Sequence, residues 1–414
     1  MHDFKLYQSE QNCCGCGACK QICTKHAISM KNNKDGFKYP VIDWEHCINC
    51  GLCCKVCRFQ KDIKKKEKGE LILSKNCKVY VAVSEITDLK QSASGGIFAG
   101  IAKAVLASGG VVFGAEMVFV NERLILQHVG IENEEDMIRL QGSKYVQSDL
   151  GDCYVQIRNL LKRGKTVLFS GTPCQVAGLY GYLGGSHKNL YTIDIICHGV
   201  PSEKMFYDYL KYIELKCKAK IIEFKFRDKS LGWRLLGSMT LKDVTGKQNK
   251  YTFKPEKSSY YQMFLNSYTY RENCYQCPYA GGERPGNVTI GDFWCVELVH
   301  PEICIENGGD LDYKNGASCL IINDSKGQEL IDIFGTGIKM WKSDYEHAAQ
   351  YNGQLRCPST LKTERKIVFQ MYAEGYEKVE KWYRKRLCLR VIRRTIRRAV
   401  PRPLKNVIKK ILGQ

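Results

Sequence analysis

The chain has 414 residues, enough for two or three domains with a well-buried core, and an ordinary balance of 44% hydrophobic and 26% charged residues. Its 22 cysteines, ten of them between Cys13 and Cys57, are not ordinary; with no secretory leader visible in MHDFKLYQSE and no apolar run near the roughly eighteen residues of a membrane span, they predict a cytoplasmic metal-binding chain rather than a disulfide scaffold. Of the net charge of +20, residues 381–414 supply thirteen Lys/Arg and no Asp/Glu, which leaves about +7 for the rest and gives no reason to expect nucleic-acid binding.

In chain order, residues 1–62 read as a two-cluster ferredoxin-type domain. Cys13, Cys16, Cys19 and Cys23 are spaced C-x2-C-x2-C-x3-C, and Cys47, Cys50, Cys53 and Cys57 repeat that spacing. This is the bacterial ferredoxin run, in which three thiolates wrap one cubane and the fourth reaches the other. Cys57 is therefore expected to join Cys13, Cys16 and Cys19 in a first [4Fe-4S] site, and Cys23 to join Cys47, Cys50 and Cys53 in a second. The proline that usually ends the run is replaced by Thr24 and Arg58, which costs turn rigidity but no ligand. Cys14 and Cys54, beside ligands, are expected to be spectators.

The charged stretch KDIKKKEKGE, residues 61–70, opens a predicted linker over 63–76. From Val79 short β-branched runs alternate with helical ones. VYVAVS, VVFGAEMV, LILQHVGI, TVLFSG and LYTIDIIC read as strands; SGGIFAGIAKAVLASGG, EEDMIRLQ, TPCQVAGLYGYL and SEKMFYDYLKYIEL read as helices. That alternation predicts a mixed α/β domain over 77–345 with a largely buried sheet. After residue 220, IIEFKFRD, LLGSMTLKD and KYTFKP read as antiparallel strands. The whole is an α+β or α/β multidomain protein: a ferredoxin-like head, a mixed α/β domain and a helical region, 346–414, that ends in a basic tail.

Cubanes pass one electron at a time whereas organic substrates usually take two, and a flavin is the usual converter. Three turns could bind its phosphates: Ser94, Gly95 and Gly96 before a helix, Lys144 and Tyr145 in QGSKYVQS, and Thr172 in SGTPCQ. Taken alone, Ser94 reads better as a plain N-cap. No G-x-G-x-x-G follows a strand, so a standard dinucleotide fold is not supported. Cys174 sits in the first turn of its predicted helix, where the dipole favours a thiolate.

ASGGIF, GGVVFGAEM, QGSKYVQSD, SGTPCQVAGL, CHGVPS, FRDK with GW two residues on, CYQCPYA and VTIGDFW occur in that order. Over roughly residues 10–345 this set resembles the beta-subunit family of the coenzyme F-420 hydrogenases and dehydrogenases. The closer likeness is to its bacterial branch, with a two-cluster ferredoxin module fused in front and genes often in surface-polysaccharide loci. The resemblance implies an FAD-containing oxidoreductase that exchanges electrons between iron–sulfur clusters and an organic hydride acceptor or donor. It further implies a third [4Fe-4S] cluster held by Cys174, Cys197, Cys274 and Cys277, though four thiolates would suit zinc equally well. Asp292 and Trp294 enter as flavin-site residues through the resemblance alone.

His198 could protonate a substrate or flavin, although a His beside a buried Cys more often bonds backbone. Asp228, Lys229, Trp233 and Arg234 could rim an anionic substrate or form a solvated hairpin. The implied partners are a reduced ferredoxin or another redox protein and an unidentified organic substrate; alternatively the chain is an electron-transfer subunit whose partner holds the substrate. In the tail, Cys388, Ile392, Ile396 and Ala399 share a helical face opposite Arg386, Arg390, Arg393 and Arg397, and the pattern resumes after Pro403. Such a basic amphipathic helix suits the inner face of an anionic membrane or a partner protein.

Overall fold

The computed structural model describes residues 5–68, 77–120 and 123–399. The side chains of 389–399, and the whole of 400–414, lie outside the described residues, so most of the tail's proposed apolar face does too. Among the described residues, thirteen strands form three sheets. In the head, β1 (Ile28–Asn32) and β2 (Lys38–Ile42) form an antiparallel hairpin between the two cysteine runs.

The central sheet collects β3 (Lys78–Ser84), β4 (Val111–Val120), β5 (Arg123–Ile131), β6 (Val167–Gly171) and β7 (Leu190–Ile195). An antiparallel meander follows, β8 (Lys220–Lys225), β9 (Gly237–Lys242) and β10 (Gln248–Phe253). The chain then returns to the central sheet with β11 (Val288–Asp292), β12 (Ser318–Ile322) and β13 (Ile338–Ser343). The order is β13-β3-β12-β11-β7-β6-β4-β5, parallel from β4 through β6 and β7 to β11 and antiparallel at both margins.

Strand periodicity explains the layers. Val112, Leu168 and Ile193 face the helices Ile97–Ala107 and Ser325–Phe334, whereas Val111, Val167 and Phe169 face Cys153–Lys162 and Pro173–Leu183. A separate aromatic core joins the meander to the helices Glu203–Cys217, Ser259–Leu265 and Thr363–Ala373, and to Tyr376, Val379 and Tyr383 of Tyr376–Ala399. The front of the predicted helical tail is thus part of the core. No described helix is long and apolar enough to cross a membrane.

The predicted linker needs correction at its start. Arg58–Glu67 is one helix with Phe59, Asp62 and Ile63 buried; its lysines mark a solvated face, and composition hid the apolar stripe beneath. Tyr279 Oη donates to Asp62 Oδ2 at 3.0 Å, and Lys66 Nζ donates to the Cys277 carbonyl at 2.9 Å. The head also docks on the glycine face of Pro173–Leu183. A Cβ at Gly178 would stand 2.9 Å from Cys16 Sγ, and one at Gly181 would stand 2.2 Å from the Val56 carbonyl oxygen. Gly181→Ala therefore forces the head off that helix and should cost about 1–3 kcal/mol, read as a lower urea midpoint in equilibrium unfolding.

Candidate functional site

The structure sorts the cysteines into three neighbourhoods. In the first, the Cys19 thiol is pushed well up by burial and then by the fields of Cys16, Cys13 and Cys57. Cys57 is pushed up to about 11, by burial first and then by Cys16. In the second, Cys23, Cys47, Cys50 and Cys53 line one cavity of about 240 Å³ together with Ile28, Ile42, Ile48 and Leu52. The fourth cysteine of each run thus lies with the first three of the other.

The third neighbourhood joins distant parts of the chain. Cys174 follows β6, Cys197 follows β7, and Cys274 lies within a short 3-10 turn, Glu272–Gln276, that Cys277 ends. Burial and the fields of Cys197, Cys277 and Cys174 raise the Cys274 thiol well above its usual range; Cys197 is pushed up to about 12 in the same way and Cys277 to about 11. Cys174 goes the other way, to about 7, through a hydrogen bond from the Cys14 thiol and then one from Thr172, 3.2 Å away. Among the described residues no three or more His, Cys, Asp or Glu side chains are arranged to hold a single metal ion. A cubane spreads its four thiolates over four irons.

Cys14, expected to be a spectator, is only 4% exposed and packs against both Cys16 and Cys174. Around it Cys16 and Cys57 of the first set pack with Cys174 and Cys277 of the third, sealed by Phe59, Ile63, Ala177 and Tyr279. The third set is braced by Arg284, whose side chain is 2% exposed. It donates to Asp194 Oδ1 from Nη2 at 2.7 Å and to the carbonyls of Tyr279 and Ile195. Thr289 Oγ1 and the Gly286 amide also donate to the Asp194 carboxylate, each at 2.8 Å.

At the C-terminal ends of β6, β7 and β11 opens a cavity of about 370 Å³. Ser94, Gly96, Lys144, Tyr145, Thr172, His198, Asp292 and Trp294 all line it, and so does Cys197 of the third set. Gly95 does not. Its amide donates to Ser318 Oγ at 2.9 Å, and a Cβ there would meet the Ala82 carbonyl oxygen at 2.5 Å, so it is a packing glycine.

The expected Ser94 cap is not formed. Ser94 Oγ donates to the Ala317 carbonyl at 2.7 Å, and the helix Ile97–Ala107 starts from Gly96 in the left-handed region with no side-chain cap. Its first-turn residues Ile97, Phe98 and Ala99 therefore present uncapped amides at the cavity wall. The Lys144 ammonium is lowered to about 7 by burial, and it donates to the Gln141 carbonyl at 2.7 Å. His198 opens to the cavity, but the surrounding protein still lowers its pKa by desolvation. Its ring takes no hydrogen bond among the described residues, against the backbone-bonded expectation.

Asp292 and Trp294 act on the loop 92–96. Asp292 pairs with Arg227 at 2.9 Å, and Arg227 and Trp233 both donate to the Ala93 carbonyl. Trp233 stacks on Trp294 at 5.0 Å. Lys229 is no substrate rim: its ammonium is spent on the carbonyls of Leu89, Ser94 and Asn315. Asp228 is buried and paired with Lys250 at 2.8 Å, while Arg234 is exposed. Sequence reasoning missed Arg271, Arg284 and His128, lone basic residues in loops or strands that carry no spacing signal. His128 Nε2 donates to the Ser170 carbonyl and Nδ1 accepts from Ser148 Oγ, so burial holds it neutral, with its pKa lowered to about 4.

Arg284→Met strands the fully buried Asp194 charge and should cost about 3–5 kcal/mol, whereas Ser94→Ala loses one neutral hydrogen bond, worth about 1 kcal/mol. Urea unfolding of the two variants measures the contrast.

Three comparisons bear on this geometry. Residues 164–345 match the family model for the C terminus of the coenzyme F420 hydrogenase/dehydrogenase beta subunit. An uncharacterized ferredoxin of Methanocaldococcus jannaschii is 34% identical over 70 residues, 16% of this chain and 90% of that protein. A chain of the F420-reducing [NiFe] hydrogenase complex from Methanosarcina barkeri is similar at a TM-score of 0.41 and 14% identity, over 72% of this chain and 93% of that one, too distant to carry an argument about chemistry. The matched segment spans β7, the Cys274–Cys277 loop and β11, which contribute to the cavity and the third cysteine set, and over that segment the chain is similar to the coenzyme F420 hydrogenase/dehydrogenase beta-subunit family.

Proposed function

We propose that the chain is an iron–sulfur flavoprotein oxidoreductase working between a redox-protein partner and an organic hydride acceptor or donor. The observation that carries this reading is the continuity of the site. The first cysteine set abuts the third through Cys14, and Cys197 of the third set is also part of the cavity wall.

The donors suit the groups. Buried thiols that raise one another's pKa make an unstable set of free thiolates, and a cationic iron–sulfur core removes that cost. Cys13, Cys16, Cys19 and Cys57 would hold one cluster, Cys23, Cys47, Cys50 and Cys53 a second, and Cys174, Cys197, Cys274 and Cys277 a third. Ser94, Gly96, Lys144, Tyr145 and Thr172 line a cavity whose uncapped helix amides suit the diphosphate of FAD. When bound, clusters and flavin together supply one-electron and hydride chemistry.

The chain's own residues do the rest. Arg227, Lys229, Trp233 and Asp292 hold the loop 92–96 in place against the cavity. Gln175 Oε1 accepts from the Thr172 amide at 2.9 Å and fixes the turn that carries Cys174. Tyr145 stacks on Phe264 at 4.3 Å and closes one wall against water. His198 stands free at the wall to hold or give a proton at its ring nitrogens. Cys50 is an exposed cysteine of the second set, which makes that end of the head the side for a partner such as a reduced ferredoxin.

Anaerobic purification with iron, sulfide, zinc and flavin analysis tests the reading. About twelve irons, four per cubane, and one flavin are expected; about eight irons with zinc would refute the third cluster. Cys274→Ser should lose about four irons and keep the other eight. Lys144→Met should weaken FAD binding about tenfold in equilibrium titration of flavin-depleted protein, without changing iron content. Turnover of a small molecule with artificial donors separates an enzyme from a pure electron-transfer subunit.

A further inference from the structure

Four arginines have buried side chains close to these sites. Arg227 pairs with Asp292, Arg284 with Asp194 and Arg365 with Glu272, each at 2.9 Å or less. Arg271 is the exception. It is 0% exposed, heads the largest fully buried side chains, and has no Asp or Glu partner among the described residues. Its acceptors are neutral groups: Nε donates to the Cys13 carbonyl at 2.9 Å and Nη1 to Gln147 Oε1 at 3.3 Å. Nη2 lies 3.8 Å from Cys13 Sγ, and the guanidinium sits 3.9 Å from the centre of the Tyr39 ring.

The position of Arg271 is as unusual as its pairing. Its backbone belongs to the third set's loop, where its carbonyl accepts from the Cys274 amide at 3.0 Å. Its side chain leaves that loop and ends inside the first set. Gly15, at φ +72°, makes room for it: a Cβ there would come within 3.0 Å of the guanidinium carbon. An arginine buried without an anion is strongly unfavourable. The thiols whose charge reaches it are Cys13 of the first set and Cys274 of the third, once they are thiolates in a cluster.

We propose that Arg271 is a positioning residue that serves as the shared counter-charge of the first and third cysteine sets, and so raises the reduction potential of both iron–sulfur sites together. The proposal rests on the iron–sulfur reading above. Adding an electron makes a thiolate-ligated cluster more negative, so a fixed buried cation beside it favours the reduced form. Arg271 makes no hydrogen bond to Cys23, Cys47, Cys50 or Cys53, so the second set is the internal control.

The test is an EPR-monitored redox titration of full-length Arg271→Gln and Arg271→Lys, each reconstituted anaerobically and first assayed for iron. In fully loaded R271Q, the signals of the first and third sites should shift to lower potential together. The expected fall in reduced-to-oxidised ratio at the wild-type midpoint is about tenfold, ~59 mV for one electron. The second site should not move. R271K, which keeps the charge but loses the fork, should shift the same two signals by less.

Unchanged potentials in loaded R271Q, an equal shift of all three signals, or R271K displaced as far as R271Q would each overturn the proposal. Should R271Q fail to load iron, R271K decides alone: a shift confined to the first and third signals supports it, and no shift overturns it. A wild-type protein lacking iron at the third set is a separate result, which sinks the functional reading instead.

Discussion

The buried pair of Asp194 and Arg284 is the constraint on which the rest of the site depends. Asp194 is the next-to-last residue of β7 and has no exposure, a place where an isolated carboxylate would be intolerable. It persists because two guanidinium nitrogens, one hydroxyl and one backbone amide converge on its two oxygens. Those donors come from the loop after Tyr279 and from β11. Satisfying one charge therefore fixes three segments at once, and these segments carry Cys197, Cys277 and Asp292.

The same economy recurs around it. Arg227 locks β11 to the loop 92–96, Lys229 locks that loop to Asn315, and Arg365 locks the helix Thr363–Ala373 to the carbonyl of Tyr270. Irregular backbone near a cavity has many carbonyls that no sheet or helix will satisfy. Here long basic side chains take that role.

Much of the frame was legible from the sequence because it rests on periodicity. β3, β4, β6 and β7 follow their β-branched runs, and the meander after residue 220 follows its alternation. The hairpin β1–β2 escaped notice because ISMKN and KYPVI are short and half polar. The helix Arg58–Glu67 was masked by its lysines, and Tyr376, Val379 and Tyr383 by the basic tail beyond them. In the site, repeated cysteine spacing and motif order could be read locally. Arg271 and Arg284 could not, since their meaning lies in what three-dimensional packing sets against them.

The docking of the head has a kinetic meaning. Phe59, Asp62 and Ile63 seat the last helix of the head beside Tyr279, and Gly178 and Gly181 let its cysteine loops lie directly on the α/β domain. The gap between the first and third cysteine sets is therefore built into packed protein rather than sampled by a swinging tether. Extra residues inserted between Glu67 and Cys77 would lengthen the chain but not the gap. Traffic across it would be first order, indifferent to solvent viscosity and to protein concentration.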